Sequence, residues 1–376
     1  MGISSHAEKF AAPRLDAQGR IELVGLNLSQ IQALLVEDGQ PAFRSKQIWN
    51  WIYQRGVTSF DDMANLPKDL RQILTDKYVI DRPKVISEQK SRDRTIKWLL
   101  EMSDGQQVEM VFIPTPSRGT LCVSSQVGCT LTCRFCHTGT QPLVRNLGPH
   151  EILQQVMYAK DVLEEWPSQG EKQARDLTNI VMMGMGEPLY NYENVAEALK
   201  ICMHPDGLGI SKRHITLSTS GVVPQIIQCG EELGVNLAIS LHAPNNELRS
   251  EIMAINNKYP LEELLEACRN YPGVSASRRI TFEYVLLDGV NDTDDHAQEL
   301  ARLLYNIPCK INLIPFNAWA GSGFQCSPLK RIEGFARVLE GAGYDAPIRR
   351  PRGRDILAAC GQLKSESQRK VREQNE

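Results

Sequence analysis

Apolar residues recur every three or four positions between Leu28 and Leu74, which predicts helices. Ile31, Leu34 and Leu35 share one face behind a capping Ser29, and Gly39 and Pro41 end that run. Ile48, Trp49 and Ile52 form a second stripe behind Ser45 that ends near Gly56. Pro67 opens a third helix, with Leu70, Ile73 and Leu74 inward. From Lys84 to Val123 the period drops to two. Ile96, Trp98 and Leu100 alternate with Lys97 and Leu99; after Gly105, Val108, Met110 and Phe112 alternate with Glu109 and Val111. This pattern predicts a hairpin leading into a strand at Leu121–Val127.

Beyond that strand the chain alternates. Strands are expected at Asn179–Met183, His214–Ser218, Asn236–Leu241, Arg279–Leu286 and Lys310–Pro315. Helices are expected at Pro149–Glu165, Glu193–Met203, Val223–Leu233, Leu261–Tyr271 and Asp294–Tyr305, with a last one near Leu329–Gly341. Strands separated by helices imply an α/β fold with a parallel sheet wrapped by helices. In such folds the chemistry sits at the carboxy-terminal ends of the strands. The organisation expected is a disordered 1–20, a helical domain at 21–83, a linking hairpin at 84–120, a barrel at 121–345 and a carboxy-terminal segment at 346–376.

Composition narrows the class. The chain of 376 residues is 42% hydrophobic and 23% charged, ordinary values for a globular protein. No apolar run reaches the roughly 20 residues of a membrane span, and Met1–Arg20 lacks the apolar core of a signal peptide. A cytoplasmic location with no membrane contact is the expectation. The net charge of −3 argues against a nonspecific nucleic-acid coat but leaves room for a local basic face. Ten cysteines in such a chain read as buried fillers, metal ligands or nucleophiles rather than disulfide staples.

Cys129, Cys133 and Cys136 stand in a C-x3-C-x2-C array just past the first strand of the repeating region. Three thiolates so close in sequence can wrap one cubane iron–sulfur cluster. They leave its fourth iron open, as a catalytic site requires. A structural zinc site usually has four protein ligands in paired C-x2-C halves, and the sequence contains no second pair. With Phe135 before the last cysteine, the array resembles the signature of radical S-adenosylmethionine (SAM) enzymes. The resemblance implies a partial (β/α)6 barrel and a [4Fe-4S] cluster whose open iron binds SAM. It also implies one-electron cleavage of SAM to a 5′-deoxyadenosyl radical.

Within that resemblance other strand ends acquire roles. Met183-Gly184-Met185-Gly186-Glu187-Pro188 matches the segment that contacts the SAM amino group, through Gly186 and Glu187. Ser218, then Ser240, Leu241 and His242, then Asn317 fall where ribose, carboxylate and adenine are held. Read alone, Ser218 and Asn317 are equally turn formers.

Cys122 lies seven residues before Cys129, and Cys360 follows the arginines Arg349, Arg350, Arg352 and Arg354. Those arginines would favour a thiolate at Cys360 if they fold beside it. Together with Gln126-Val127-Gly128-Cys129 this pattern resembles, over nearly the whole chain, the bacterial adenine-C2 RNA methyltransferases, which have dual specificity for 23S rRNA and tRNA. The resemblance implies that the Cys360 thiolate takes a methyl group from one SAM and that a radical from a second SAM activates it. The methylene then adds to C2, and Cys122 releases the product as a Cys122–Cys360 disulfide forms. A thiol reductant and an electron donor such as flavodoxin are implied partners. A proton acceptor is also required. The resemblance points to Glu109, with Cys122 competing; by pattern alone Glu109 is as readily a solvated strand position. The C8-adenine methyltransferases share the motifs and stay open. So does a noncatalytic RNA-binding protein with a structural metal.

For RNA contact, the candidates are Arg349–Arg354, the tail Lys364–Arg372, and Lys46 and Arg55 flanking the aromatic run Trp49–Tyr53. Cys202, Cys229, Cys268 and Cys309 read as core fillers, and Cys326 lies on a loop.

Overall fold

A computed structural model describes residues 14–166, 175–365 and 367. The expected disorder at 1–20 therefore lies largely outside the described residues, as does most of the basic tail. The amino-terminal unit runs β1 (Ile21–Glu22), α1 (Leu28–Glu37), α2 (Arg44–Tyr53), α3 (Lys68–Lys77) and β2 (Tyr78–Val79), with β1 and β2 paired in parallel. The apolar stripes face inward as the spacing requires: Ile31, Leu35, Ile48, Trp49, Ile52, Leu70 and Leu74 are buried. The caps differ from expectation. Asn27, not Ser29, caps α1 in a reciprocal capping box with Gln30. Ser45 lies inside α2 and donates its hydroxyl to the Ala42 carbonyl at 2.6 Å.

The meander β3 (Lys84–Lys90), β4 (Ile96–Glu101) and β5 (Gln107–Thr115) is antiparallel and leads into β6 (Arg118–Cys122). A short ribbon of β7 (Gln126–Val127) and β8 (Arg145–Asn146) follows. The alternating region is α4 (Pro149–Val162), β9 (Leu177–Met182), α5 (Tyr192–Met203), β10 (Ile215–Thr219), α6 (Val223–Glu232), β11 (Asn236–Ser240), α7 (Asn246–Ile252), α8 (Leu261–Arg269), β12 (Ile280–Leu286), α9 (Asp294–Leu303), β13 (Cys309–Pro315) and α10 (Leu329–Gly341).

One nine-stranded sheet runs in the order β13-β12-β11-β10-β9-β6-β5-β4-β3. Its six strands from β6 to β13 are parallel, the partial (β/α)6 barrel expected. The linking hairpin is no separate connector. It extends the same sheet beyond β6, and β6 begins at Arg118, inside the stretch read as linker. Helix α7 was not foreseen, because seven residues give too little periodicity to read. Of the two readings of Glu109, the solvated strand position is excluded. Val108, Glu109, Met110, Val111 and Phe112 are all buried, because the carboxy-terminal segment covers the second face. The outer edge strand β3 is mostly exposed and carries Lys84, Glu88 and Lys90. Among the described residues no helix is long and apolar enough to cross a membrane.

Candidate active site

Inward side chains at the carboxy-terminal strand ends line a cavity of ≈ 260 Å³, near the small end of ligand-sized pockets. The strand pleat selects them. On β12, Phe282, Tyr284 and Leu286 are fully buried under the helices, while Glu283 and Val285 face the cavity.

Cys129, Cys133 and Cys136 line this cavity together. The β7–β8 ribbon closes the base of their loop. The Cys129 amide donates to Gln141 O at 3.1 Å and the Cys136 amide to Cys133 O at 3.1 Å. Gly128 sits at φ 77 with its hypothetical Cβ 2.2 Å from Pro142 O, so no side chain fits there. Burial pushes the Cys129 thiol up to about 12, and burial plus the two neighbouring cysteines raises Cys133. At these half-buried positions the thiol form is favoured until a metal cation stabilises the thiolate. Among the described residues, no three His, Cys, Asp or Glu converge tightly enough to hold a single ion. The two observations agree for a cubane, which bonds each cysteine to a different iron and so needs thiols around a space rather than at a point. The donor set fits a [4Fe-4S] cluster.

The residues expected to hold SAM mostly gather here. Gly186, Glu187, Ser218, Ser240, His242 and Asn317 line the cavity; Leu241 does not, being buried behind it. Gly186 takes φ 101 and packs so closely that an added Cβ would stand 2.5 Å from the Gln126 Cβ. Gln126 Oε1 in turn accepts the Glu187 amide at 3.0 Å, locking this segment to the stalk of the cysteine loop. The Glu187 carboxylate accepts from Leu189 N at 3.1 Å and Ser220 N at 2.8 Å. Burial holds it above the usual carboxylate range. His242 Nδ1 accepts the Val285 amide at 3.0 Å, and burial lowers its pKa to about 3, so the ring is neutral.

Cys122 ends β6, and Cys360 reaches the same cavity on the carboxy-terminal segment. Burial is the largest cause of the rise at Cys122, and the neighbouring Cys360 adds to it. Cys360 is open to the cavity, yet burial pushes its thiol up, Glu283 pushes the same way, and Arg349 offsets only part. Arg349 thus favours the thiolate, as expected of an arginine folded beside Cys360, but burial outweighs it. Arg349, Arg350 and Arg352 do line the cavity, while Arg354 Nε donates to Asn317 Oδ1 at 3.3 Å.

Side chains moor this segment on both flanks. Asp355 accepts from Ser91 Oγ at 2.6 Å, and Asp93 accepts the Gly353 amide at 3.1 Å. Beyond Cys360, His137 donates its amide to Gly361 O at 2.7 Å, and Thr138 Oγ1 donates to Leu363 O at 2.6 Å. Trp319 stacks on His137 with centroids 4.6 Å apart.

Glu109 lies outside the cavity lining. Its carboxylate pairs with Lys97 Nζ at 2.8 Å and accepts the Lys364 amide at 2.9 Å. In this arrangement it is buried and moors the segment that carries Cys360. Lys46 pairs with Asp206 at 3.4 Å and the Arg55 guanidinium lies over Trp51 at 4.3 Å, both on the amino-terminal unit and away from the cavity. Cys202, Cys229, Cys268 and Cys309 are buried; Cys326 is exposed.

Two residues escaped the sequence reading. Arg249 is fully buried, and its guanidinium donates to the carbonyls of Ser220, Ser240 and Leu241, tying β10 to β11. Nothing in Asn245-Asn246-Glu247-Leu248-Arg249 marks it. Glu283 left a signal, a lone acid inside the strand run Ile280–Leu286, that was passed over.

A six-stranded parallel barrel with this cysteine loop at its mouth defines a radical SAM enzyme, and residues 123–304 match the radical SAM superfamily. Residues 21–80 match the ribosomal RNA large subunit methyltransferase N-terminal domain. A solved structure, a radical SAM methyltransferase from Sphaerobacter thermophilus, is similar at TM-score 0.85 and 44% identity, covering 91% of this chain and 99% of that one. The dual-specificity RNA methyltransferase RlmN of Rhodospirillum rubrum is 60% identical over 93% of this chain and 81% of its own length. That of Granulibacter bethesdensis is 56% identical over 98% and 94%. The chain belongs to the RlmN family of dual-specificity RNA methyltransferases.

Proposed function

We propose that the chain methylates C2 of an adenosine in 23S rRNA and in the tRNA anticodon loop, in the cytoplasm, through a methyl group carried on Cys360. The observation that supports this most is the meeting of Cys122, Cys360 and the three cluster cysteines in one cavity. C2 of adenine is electron-poor and does not attack a sulfonium methyl group, so the methyl must be made reactive on the protein first. Cys129, Cys133 and Cys136 would hold the cluster, and Gly186, Glu187, Ser218, Ser240, His242 and Asn317 the SAM. When bound, the two supply one-electron cleavage of SAM and a carbon radical.

The remaining work belongs to the chain. Cys360 displaces the methyl group from SAM as a nucleophile and presents it to the base. Arg349, Arg350 and Arg352 at the cavity offer phosphate contacts that hold a flipped-out nucleotide. Cys122 attacks the Cys360 sulfur, and the disulfide that forms frees the methylated base. For the C2 proton, Cys122 lines the cavity, whereas Glu109 lies outside that lining and holds the Lys364 amide. Residues 21–83 serve as an RNA-engaging unit, with the Lys46 and Arg55 face outward. An electron donor such as flavodoxin and a thiol reductant complete the cycle.

Cys122→Ala is the test. Incubated anaerobically with RNA, SAM and reductant, it should accumulate a covalent RNA–protein adduct visible as a shifted band on a denaturing gel. Cys360→Ala should give neither adduct nor product. Absence of the Cys122→Ala adduct contradicts the scheme. Mass spectrometry of digested RNA locates the methyl group, and a methyl on C8 rejects the C2 assignment.

A further inference from the structure

Cys360 has to lose a proton before its sulfur can take a methyl group, yet its surroundings keep that proton on. Burial raises the thiol, and Arg349 does not outweigh it. A proton acceptor at the cavity wall would speed the first half of the reaction, separately from the one that serves C2.

Three carboxylates are near enough to consider. Glu109 is outside the lining and engaged by Lys97 and the Lys364 amide. Glu187 lines the cavity, but both of its oxygens accept backbone amides, from Leu189 and Ser220. Glu283 lines the cavity and is itself only 8% exposed. Its carboxylate has one side-chain hydrogen bond among the described residues, from Asn312 Nδ2 to Oε1 at 2.9 Å, which leaves Oε2 free. Asn312 is its register partner on β13, so the bond fixes the carboxylate's orientation. The charged groups facing Glu283 are Arg349 and Lys310, and among the described residues it forms no ion pair with either. Burial keeps its carboxyl above the usual range, which suits a proton acceptor. Its charge acts on Cys360 across the cavity that both residues line.

We propose that Glu283 is the general base for Cys360, accepting the thiol proton as the sulfur takes the methyl group of SAM. This rests on the methyl-carrier reading above. The Cys360 S–H bond breaks and its proton goes to the Glu283 carboxylate. The freed sulfur pair forms the S–CH3 bond, and the sulfonium C–S bond breaks with its electrons kept on the departing sulfur. A carboxylate and a sulfonium become a carboxylic acid and a neutral thioether. The buried cavity thus ends with one ion pair fewer, and water takes the proton when the product leaves.

The experiment compares wild type, Glu283→Gln and Glu283→Asp as full-length, anaerobically reconstituted protein. Peptide mass spectrometry follows methylation of Cys360 from SAM between pH 6 and 9. At pH 7, Glu283→Gln should methylate Cys360 about 100-fold more slowly or worse. Its rate should climb with pH as solvent replaces the base, and Glu283→Asp should recover much of the loss. In parallel, iodoacetamide labelling of Cys360 without SAM reads the thiol pKa. Removing the negative neighbour should lower that pKa in Glu283→Gln, although methylation slows; a purely structural defect does not move these two readouts oppositely. Iron content and SAM binding report whether the cavity has formed, and Glu283→Asp carries the test if Glu283→Gln does not fold. Equal methylation rates in wild type and Glu283→Gln, or slow rates with an unchanged pH profile, overturn the assignment. Failure of the wild type to carry any methyl on Cys360 overturns the methyl-carrier reading itself.

Discussion

The parallel strands deliver Cys122, Ser218, Ser240 and Glu283 from backbone held in a hydrogen-bonded ladder. Cys360 reaches the same cavity on a segment with neither strand nor α-helix of its own, moored by side chains of the β3–β4–β5 meander and by the cysteine loop. The contrast is one of rigidity. A ladder fixes a group through many cooperative bonds, whereas a segment moored by a few polar contacts can let go locally at modest cost. A methyl carrier that must visit SAM, a nucleotide and then Cys122 suits the second construction; groups that bind and orient suit the first.

The largest effects should separate the two constructions. Cys133→Ala should lose the cluster outright, read as loss of iron and of all 5′-deoxyadenosine formation. Glu109→Ala should keep its iron but release the segment. The Lys97 ammonium would be left buried without its partner, a loss of about 3–5 kcal/mol. Hydrogen exchange across residues 353–365 should rise sharply and Cys360 methylation should fall at least about tenfold. Loss of iron in Glu109→Ala would mean the two constructions are not independent. Glu109→Gln keeps an acceptor oxygen for the Lys364 amide and should fall between Glu109→Ala and wild type. If Glu109 instead acts only as the C2 base, Glu109→Gln should methylate Cys360 normally and fail at the base.

A smaller effect is expected from Ser91→Ala, which removes the hydroxyl donated to Asp355 at the near mooring. One such bond contributes about 1 kcal/mol, so methylation should slow a few-fold while thermal stability barely changes. Smallest for activity is Glu22→Gln at the junction of the amino-terminal unit with α4, where Gln154 Nε2 donates to the Glu22 carboxylate at 3.4 Å. Burial raises the Glu22 pKa from 4.5 to about 7. The folded state therefore holds that proton more tightly than the unfolded one. Its stabilising effect is full below pH 4.5 and is lost as pH rises through about 7, by up to about 3 kcal/mol. Thermal melts of wild type should show that decline and Glu22→Gln should flatten it.

The ladder was largely legible in the sequence, because strand period and helix period differ and the six strands alternate with helices. Caps and exact ends were less so: Asn27 and Ser29 are both good capping residues, and only local geometry decides between them. The cysteine loop was legible because ligand spacing is local. The carboxy-terminal mooring was not. Asp355 meets Ser91, and Lys364 meets Glu109, across more than two hundred residues, a distance over which periodicity carries no information. That blindness left Glu109 open to reading as a solvated position, since a strand buried by a distant segment looks like a strand with one wet face. Glu283 was missed for the opposite reason. A single acid in an apolar strand forms no motif, and only its inward register gives it a meaning.

The open rim of the nine-stranded sheet has its own consequence. Strand β3 offers unpaired backbone groups that invite another chain to add on. Its charged side chains, Lys84, Glu88 and Lys90 among them, point into solvent and would have to be stripped of water by any such addition. The end of the sheet nearest the moored segment is thereby discouraged from pairing with copies of itself.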